Sequence, residues 1–368
     1  MIERIGIIGG GQLGRMIVPP AKELGFQVKV VENSKDCPAG QVGAEVIEGG
    51  IKDEAAIECL VNESDVTTWE IEHIPADLLV ELQEAGHDIQ ADPATLMIIQ
   101  DKLTQSCYLQ SLGIPVAPFS EDLEASASLG EGPYVVKSRK GGFDGRGNLV
   151  VDRLDDPRIA EKFQDAEMYV QQKLEFEKEL AVVAARDVRG NVVTYTVVET
   201  VHEDNICHTV ISPAEVDSSV HKKAEDLARE VLKHLNGAGV FAIEMFLVNG
   251  EVIVNEIAPR VHNSGHLTIE ANKTSQFEQH VRAVTGLPLG STEQVAPVAV
   301  MVNVLGTREG LLDRTGIDKI AAEKDTKLHL YGKTPRIARK IGHVTTLAAT
   351  FDEALETATR SREHLVNL

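Results

Sequence analysis

The chain has 368 residues, of which 43% are hydrophobic and 25% are charged. This length exceeds what one ordinary core supports and this hydrophobic content excludes a disordered chain, so two or three packed domains are expected. Asp and Glu number 57 against 36 Lys and Arg, and the resulting net charge of −21 argues against nucleic acid as a partner.

Targeting and redox signals are weak in this sequence. The first residues carry no basic leader followed by a long apolar stretch, and every apolar run is too short to span a bilayer. We therefore expect a cytoplasmic protein without a membrane partner. The four cysteines lie far apart without a Cys-x-x-Cys pair, so we interpret them as buried free thiols.

The N-terminal pattern is strand, glycine turn, helix and strand. Residues 5–8 and 28–32 are apolar runs, and Gly9-Gly10-Gly11-Gln12-Leu13-Gly14 begins the segment between them. This order predicts the start of a doubly wound parallel sheet. With Glu32 at the end of the second run, the glycine spacing also fits a dinucleotide fingerprint, so an NAD-dependent oxidoreductase is one alternative. A tight structural turn is another.

Strand and helix signals continue through residues 66–69 and 75–85. Asp92-Pro93 then supplies an N-cap with proline at the first helical position. We predict one helix from there to Leu112, ended by Gly113 and Pro115, which would link two domains.

A second glycine-rich segment, residues 140–147, lies between β-branched runs that end at Lys137 and begin at Leu149. A P-loop would end in Gly-Lys-Ser/Thr and enter a helix, so this segment is predicted to be a flap that covers phosphates. A plain hairpin would explain its glycines but not the four cations around them. A small α+β domain is expected here, with a helix between Asp156 and Asp165.

The third segment contains an amphipathic helix at 220–235 and two strands joined by Asn249-Gly250. Glu244, Asn255 and Glu256 on these strands are hard oxygen ligands suited to magnesium. A two-residue loop would place Asn255 opposite Glu244, whereas a three-residue bulged loop would place Glu256 there. If both glutamates bind metal, the bulged register is predicted. The alternative is a pair of edge-strand acids that neutralise Arg260.

The last cluster, residues 331–343, places four cations around a turn, which predicts a second phosphate site distinct from the flap. A closing helix is expected at 351–365.

Taken together, these motifs resemble the ATP-grasp superfamily and, within it, the 5-(carboxyamino)imidazole ribonucleotide synthase family. The resemblance covers essentially the whole chain. The segments that carry it are Gly11-Gln12-Leu13-Gly14-Arg15, Glu70-Ile71-Glu72, Asp101-Lys102-Leu103-Thr104-Gln105, Gly141-Gly142-Phe143-Asp144-Gly145-Arg146-Gly147, Asn255-Glu256-Ile257-Ala258-Pro259-Arg260-Val261-His262-Asn263-Ser264-Gly265-His266 and Arg339-Lys340-Ile341-Gly342-His343.

The fold that this resemblance implies is an ATP-grasp fold of mixed α/β and α+β domains. Residues 1–105 would form an N-terminal, Rossmann-like pre-ATP-grasp domain with a doubly wound parallel sheet. Residues 106–290 would form the ATP-grasp region, with a small lid at about 117–185 and a metal- and ATP-binding core at 186–290. Residues 291–368 would form a small mixed C-terminal domain. A homodimer is also implied.

The activity implied is phosphorylation of bicarbonate by ATP, after which carboxyphosphate delivers its carboxyl carbon to the exocyclic amine of 5-aminoimidazole ribonucleotide. Glu244 and Glu256 would hold two magnesium ions. The residues expected to be catalytic are Arg260, His262, Asn263, Lys340, Asp144 and Arg146. Those expected to bind the nucleotide are Lys102, Lys137, Gly142, Phe143, Asp144, Gly145, Arg146, Gly147, Asn148, Gln171, Gln172, Lys173, Leu174, Glu179, His202, Asn255 and Glu256. Those expected to bind the ribonucleotide are Gln12, Leu13, Glu70, Lys333, Arg339 and Lys340.

Three positions depart from the family pattern: Phe143 replaces a common tyrosine, Gln171 a common glutamate, and Thr200 a common asparagine. The nearest alternative enzyme is a formate-dependent glycinamide ribonucleotide transformylase, which shares the fold, but the run from His262 to His266 favours bicarbonate. A non-catalytic nucleotide sensor is a further alternative, against which the intact Glu244, Glu256 and Arg260 argue.

Overall fold

The computed structural model describes residues 2–123, 129–142, 147–164, 166–310 and 315–365. Its N-terminal part is built around a parallel sheet. The elements of this part are β1 Arg4–Ile8, α1 Gln12–Glu23, β2 Gln27–Glu32, a 3-10 turn Gly40–Val42, β3 Glu45–Glu48, α2 Glu54–Asn62, β4 Val66–Trp69 and α3 Ala76–Glu84. The strands lie in the order β3-β2-β1-β4 with parallel neighbours, which confirms the predicted parallel sheet.

The single helix predicted over residues 93–112 is wrong. Two helices occupy this stretch, α4 Pro93–Gln100 and α5 Lys102–Ser111. Asp101 between them has an extended backbone, and its carboxylate accepts hydrogen bonds from the amides of Leu103 and Thr104, both at 3.1 Å. An N-cap therefore starts a new helix at this point. The same carboxylate pairs with Arg139 at 2.6 Å, which ties the start of α5 to the second sheet.

The second sheet is small and antiparallel, and it has its own apolar core around Val136, Val151 and Val170. Its strands lie in the order β5-β8-β6-β7. The elements are β5 Phe119–Ser120, β6 Tyr134–Ser138, β7 Asn148–Val151, α6 Pro157–Lys162 and β8 Met168–Gln172. β6 and β7 flank the glycine-rich segment as predicted, and residues 143–146 of that segment lie outside the described residues.

The third sheet is the largest and is mainly antiparallel. Its elements and the helices around it are β9 Lys178–Arg186, β10 Val192–Thr194, β11 Val198–Glu203, β12 Ile206–Ser212, α7 Ser218–His234, β13 Gly239–Val248, β14 Glu251–Ala258, a 3-10 turn Asn263–Gly265, α8 Thr268–Ala271, α9 Gln276–Val284, β15 Val298–Leu305, α10 Ile317–Ala322, β16 Thr326–Leu330, β17 Lys340–Ala348 and α11 Phe351–Glu363. The strand order is β14-β13-β9-β11-β12-β15-β17-β16, with β10 beside β9. Because β15 pairs with β12, the last strands of the chain extend this same sheet.

The amphipathic face predicted for α7 is buried against the sheet. Ala224, Ala228, Val231 and Leu232 on that face are almost inaccessible to solvent, and Leu227 is partly buried. Burial of each large aliphatic side chain contributes roughly 1.5–3 kcal/mol to folding. Within the described residues, no helix combines the length and the apolar character needed to cross a bilayer.

A buried histidine joins the first and third sheets. The amide of Val240 donates to Nδ1 of His280, so the opposite ring nitrogen carries the proton and donates to Thr68 Oγ1 at 3.0 Å. Both ring nitrogens are therefore satisfied in the neutral form. Burial lowers the pKa of His280 to about 4.

The buried His280 predicts that the free energy of unfolding falls in acid. The pKa of His280 is lower in the folded protein than in the unfolded chain, where it is about 6.5, so its contribution to stability is complete above that value and is lost as pH falls toward 4. Between pH 7 and pH 5, we expect the free energy of unfolding to fall by about 2 kcal/mol more in the unmodified protein than in His280→Gln. Urea unfolding at both pH values measures this difference, and equal losses in the two proteins would contradict it.

Candidate active site

The two glutamates predicted to bind metal face each other across β13 and β14. Asn249 and Gly250, both with positive φ, form a two-residue turn, and Met245 pairs with Val254. Glu244 nevertheless pairs with Glu256 because the register shifts at this point. The predicted pairing is thus confirmed, but the predicted three-residue loop is wrong: the extra residue is Asn255, inside the strand.

Burial and like charge make this acidic pair unfavourable without cations. Burial and the neighbouring charge of Glu256 raise the pKa of Glu244 to about 7. Lys102 pairs with Glu256, and Lys137 Nζ donates to Asn255 Oδ1 at 3.2 Å. Burial and the charge of Lys102 lower the pKa of Lys137 to about 8. Two partly buried carboxylates beside an amide oxygen fit a hard divalent cation such as magnesium.

A cleft with an interior volume of about 380 Å³ lies over this pair, and we call it the nucleotide cleft. It is lined by residues of the second and third sheets, together with Lys102 and Glu72. The predicted nucleotide-binding residues that line it are Lys102, Lys137, Gly142, Gly147, Asn148, Gln171, Gln172, Lys173, Leu174, Glu179, His202, Asn255 and Glu256. The remaining ones, Phe143, Asp144, Gly145 and Arg146, lie outside the described residues.

An aromatic pair in the nucleotide cleft was missed by the sequence analysis. Phe176 and Phe246 stack with ring centroids 4.6 Å apart and planes 18° apart. Their proximity depends on the pairing of β9 with β13, which no local motif reveals. His202 Nδ1 lies 2.8 Å from Glu179 Oε2 on the same wall. Burial opposes protonation of His202, but the adjacent carboxylate outweighs it and raises the pKa of this histidine.

Arg260 forms a bidentate pair with Glu72, a residue to which the sequence analysis gave no role. Arg260 Nε lies 2.5 Å from Glu72 Oε2, and Nη2 lies 2.9 Å from Oε1. Burial alone would raise the pKa of Glu72, but the charge and hydrogen bonds of Arg260 lower it to about 2. The carboxylate therefore fixes the plane of the guanidinium at the edge of the nucleotide cleft. The motif Glu70-Ile71-Glu72 contains this residue, but the sequence analysis assigned a binding role only to its first glutamate.

The backbone of His262 is held by the side chain of Gln276. The amide of His262 donates to Gln276 Oε1 at 2.9 Å, and Gln276 Nε2 donates to the carbonyl of His262 at 2.6 Å. His262 Nε2 lies 3.3 Å from Glu244 Oε1. Burial and the charge of Arg260 lower the pKa of His262 to about 3, so its ring is neutral. The side-chain amide of Asn263 is buried beside Cys207.

The first glycine turn binds a carboxylate from within the chain. Glu70 accepts hydrogen bonds from the amides of Gly11 at 2.6 Å and Gly14 at 2.8 Å. Burial raises the pKa of Glu70, although these amides and the charges of Lys333 and Arg260 oppose that shift. A dinucleotide phosphate would have to displace this buried carboxylate, so the turn serves the protein's own structure.

The remaining predicted ribonucleotide-binding residues lie in different surroundings. Lys333 Nζ donates to Gln12 Oε1 at 2.6 Å, so this lysine reaches the N-terminal segment. Arg339 donates to the carbonyl of Thr334 within its own loop. The charge of Lys340 opposes protonation of both His202 and His262, so this side chain lies near the nucleotide cleft. Leu13 is different: it is buried in the apolar core.

Comparison with known families matches three successive parts of the chain. The ribonucleotide synthetase preATP-grasp domain matches residues 2–100, the ATP-grasp domain matches 107–277, and the phosphoribosylaminoimidazole carboxylase C-terminal domain matches 299–357.

Curated relatives and solved structures are similar over nearly the whole chain. The chain is 44% identical to phosphoribosylaminoimidazole carboxylase of Ogataea methanolica, an alignment that covers 93% of this chain but only 66% of that protein. It is 39% identical to N5-carboxyaminoimidazole ribonucleotide synthase of Bacillus subtilis, covering 96% of this chain and 94% of the relative. The chain thus spans just under two thirds of the length of the fungal relative.

Among solved structures, the N5-carboxyaminoimidazole ribonucleotide synthetase of Thermotoga maritima is 44% identical, with a TM-score of 0.88 over 98% of both chains. The Aspergillus clavatus synthase in complex with ADP and 5-aminoimidazole ribonucleotide is 33% identical, with a TM-score of 0.90 over 100% of this chain and 99% of that one.

The acidic pair predicts that Glu244→Gln has opposite effects on protein stability in the absence and in the presence of divalent cations. Glu244→Gln removes the like-charge repulsion, so we expect the metal-free protein to gain about 1 kcal/mol of stability at pH 8. The same change should abolish the stabilisation produced by Mg²⁺ or Mn²⁺. Thermal unfolding with and without the cation measures both effects. Glu251→Gln, at an exposed position on β14, is the control and should change neither; a full cation response in Glu244→Gln would refute the assignment.

Proposed function

The chain belongs to the N5-carboxyaminoimidazole ribonucleotide synthase family, and we propose that it carboxylates 5-aminoimidazole ribonucleotide with bicarbonate and ATP. The products would be N5-carboxyaminoimidazole ribonucleotide, ADP and phosphate, which places the enzyme in purine biosynthesis. One observation supports this most: Lys333 and Arg260 both act electrostatically on Glu70, and Arg260 also pairs with Glu72 in the nucleotide cleft, so a ribonucleotide beside Lys333 could meet a carboxyl group formed in that cleft.

ATP would lie in the nucleotide cleft. Lys102 and Lys137 would contact its phosphates, the flap that includes Gly142 and Asn148 would cover them, and the wall from Gln171 to Leu174 would hold the adenine. The Phe176–Phe246 pair adds a flat apolar surface on the same side. Magnesium bound by Glu244 and Glu256 would offset the negative charge of the phosphates during phosphoryl transfer.

In the first step a bicarbonate oxygen attacks the γ-phosphorus of ATP, the bond from that phosphorus to ADP breaks, and carboxyphosphate forms. Arg260, already oriented by Glu72, would bind the planar oxyanion through guanidinium N–H groups that do not donate to Glu72. His262 would add a neutral ring to the same site. Asn263 keeps its proposed role in holding bicarbonate and carboxyphosphate. Closure of the flap would keep water from hydrolysing carboxyphosphate.

In the second step the exocyclic amine of the ribonucleotide forms a bond to the carboxyl carbon, the bond from that carbon to phosphate breaks, and the amine loses a proton. Lys333, Arg339 and Lys340 would bind the 5′-phosphate. Gln12 and Glu70 would line the pocket beside them. We retain the catalytic roles that the family resemblance implies for Asp144 and Arg146 of the flap.

Other features stay predictions: the domain divisions at residues 105 and 290, a homodimer, a cytoplasmic location, and the binding of two magnesium ions.

ADP release tests the proposed reaction. We expect rapid release only when ATP, Mg²⁺, bicarbonate and 5-aminoimidazole ribonucleotide are all present, because carboxyphosphate is consumed productively only with its acceptor. Formate with glycinamide ribonucleotide replaces the last two in a control reaction, and a higher rate there would support the transformylase alternative. ATP binding without turnover under any condition would support a nucleotide sensor.

Arg260 and Glu72 should affect chemistry more than nucleotide binding. We expect Arg260→Ala to lower kcat at least about 100-fold, the usual loss for an oxyanion donor, while the Kd for ATP stays within about threefold. Glu72→Gln leaves the guanidinium present but less well oriented, so its loss should be smaller and should include a higher KM for bicarbonate. Arg282→Ala, which removes an arginine paired with Glu278 outside the cleft, is the matched control. Unchanged turnover in Arg260→Ala would contradict the assignment.

A further inference from the structure

A group of imidazole and carboxylate side chains lies between β16, β17 and α8, outside the nucleotide cleft. His329 and His343 are paired across β16 and β17, and their rings stack with centroids 4.6 Å apart. Glu270 on α8 places Oε1 2.7 Å from His329 Nε2. One ligand atom from each of the three residues lies within 4.8 Å of the others.

Two polar atoms of this group are buried without a hydrogen-bond partner among the described residues: Glu270 Oε2 and His343 Nε2. Leaving such atoms unsatisfied costs roughly 1–3 kcal/mol each. His343 is completely buried, so bulk water does not satisfy its free nitrogen. The observation points to a bound species between these residues that would satisfy both atoms.

Hydrogen bonds around the group indicate which nitrogens could bind a cation. Tyr331 Oη lies 2.8 Å from His343 Nδ1. When His343 Nδ1–H donates to this phenol oxygen, Nε2 carries the free lone pair, an arrangement in which an outer partner orients a metal ligand.

The neighbouring His266 is excluded as a ligand. Gln276 has its orientation fixed by the backbone of His262, so its Nε2 group is the donor that lies 3.2 Å from His266 Nδ1. His266 therefore accepts through Nδ1 and carries its proton on Nε2.

We propose that Glu270, His329 and His343 form a binding site for a divalent transition-metal ion of the zinc class, separate from the magnesium pair. Two imidazoles and one carboxylate are a donor set that zinc accepts with one position left open, whereas magnesium prefers oxygen ligands and water. The ion would take the place of the hydrogen on His329 Nε2, and the neutral ring would carry its single proton on Nδ1 instead.

The group is accessible to an ion. A groove of about 880 Å³, lined by Leu328, His329 and Tyr331, reaches it from the surface, and the side chain of His329 is 29% exposed. Glu270, His329 and His343 do not line the nucleotide cleft. Metal binding at this site can therefore be measured independently of nucleotide binding.

Metal binding to the full chain tests the proposal. Protein stripped with a chelator and desalted is titrated with Zn²⁺ in the presence of excess Mg²⁺, and zinc content and heat are measured. We expect about one equivalent of zinc to bind and the Tm to rise. Glu270→Gln and His329→Gln should each weaken zinc binding at least about 100-fold, because each removes a ligand. The double substitution of Glu244 and Glu256 by Gln should leave zinc binding unchanged.

His234→Gln is the matched control, since it removes a histidine from an exposed His–Glu pair of similar length, with His234 Nε2 2.9 Å from Glu230 Oε1. It should bind zinc as the unmodified protein does. The proposal is overturned by the absence of stoichiometric zinc in the unmodified protein, by tight binding in both Glu270→Gln and His329→Gln, or by loss of zinc in the Glu244/Glu256 double variant. The Tm values of the metal-free variants separate loss of a ligand from loss of the fold.

Discussion

One inserted residue in a strand governs the chemistry available to this protein. Asn255 shifts the register of β14, so Glu256 comes opposite Glu244 instead of pointing to the other face. The two carboxylates are then close enough to repel each other, and burial together with this repulsion raises the pKa of Glu244. In the proposed function, divalent cations and a polyphosphate would bring charge that compensates this unfavourable arrangement.

The N-terminal segment contributes to the same site through contacts at the end of β4. Trp69 Nε1 donates to the carbonyl of Pro259 at 3.1 Å, and Glu72 pairs with Arg260 immediately beyond it. Thr68 contacts His280 on the other side of the strand end. These bonds fix the loop that carries Arg260 and His262 against the parallel sheet. Arg260 and His262 are thereby oriented before any ligand binds, which would lower the cost of organising them in the proposed reaction.

Much of the fold could be predicted from local sequence patterns, because a turn or an amphipathic helix depends mainly on residues that are close in sequence. The strand, glycine turn, helix and strand pattern predicted the parallel sheet, and the spacing of apolar residues predicted α7. The same reasoning failed at Asp101, where an N-cap divides a stretch with continuous helical character. It also left open what the glycine turn binds: the backbone amides favour any anion, and only the fold shows that the buried Glu70 already occupies them.

What the sequence determined by itself was the set of reactive groups and their order: the acidic pair, the lysines before the flap, the Arg260–His262 run and the C-terminal cations. These follow from residue type and short spacing, because hard oxygen ligands and guanidinium groups have chemistry that does not depend on the fold. Only the tertiary structure decided which groups meet. Glu72 with Arg260, Phe176 with Phe246 and Glu270 with His329 come from distant parts of the chain, and strand register and packing, which no local pattern encodes, bring them within contact.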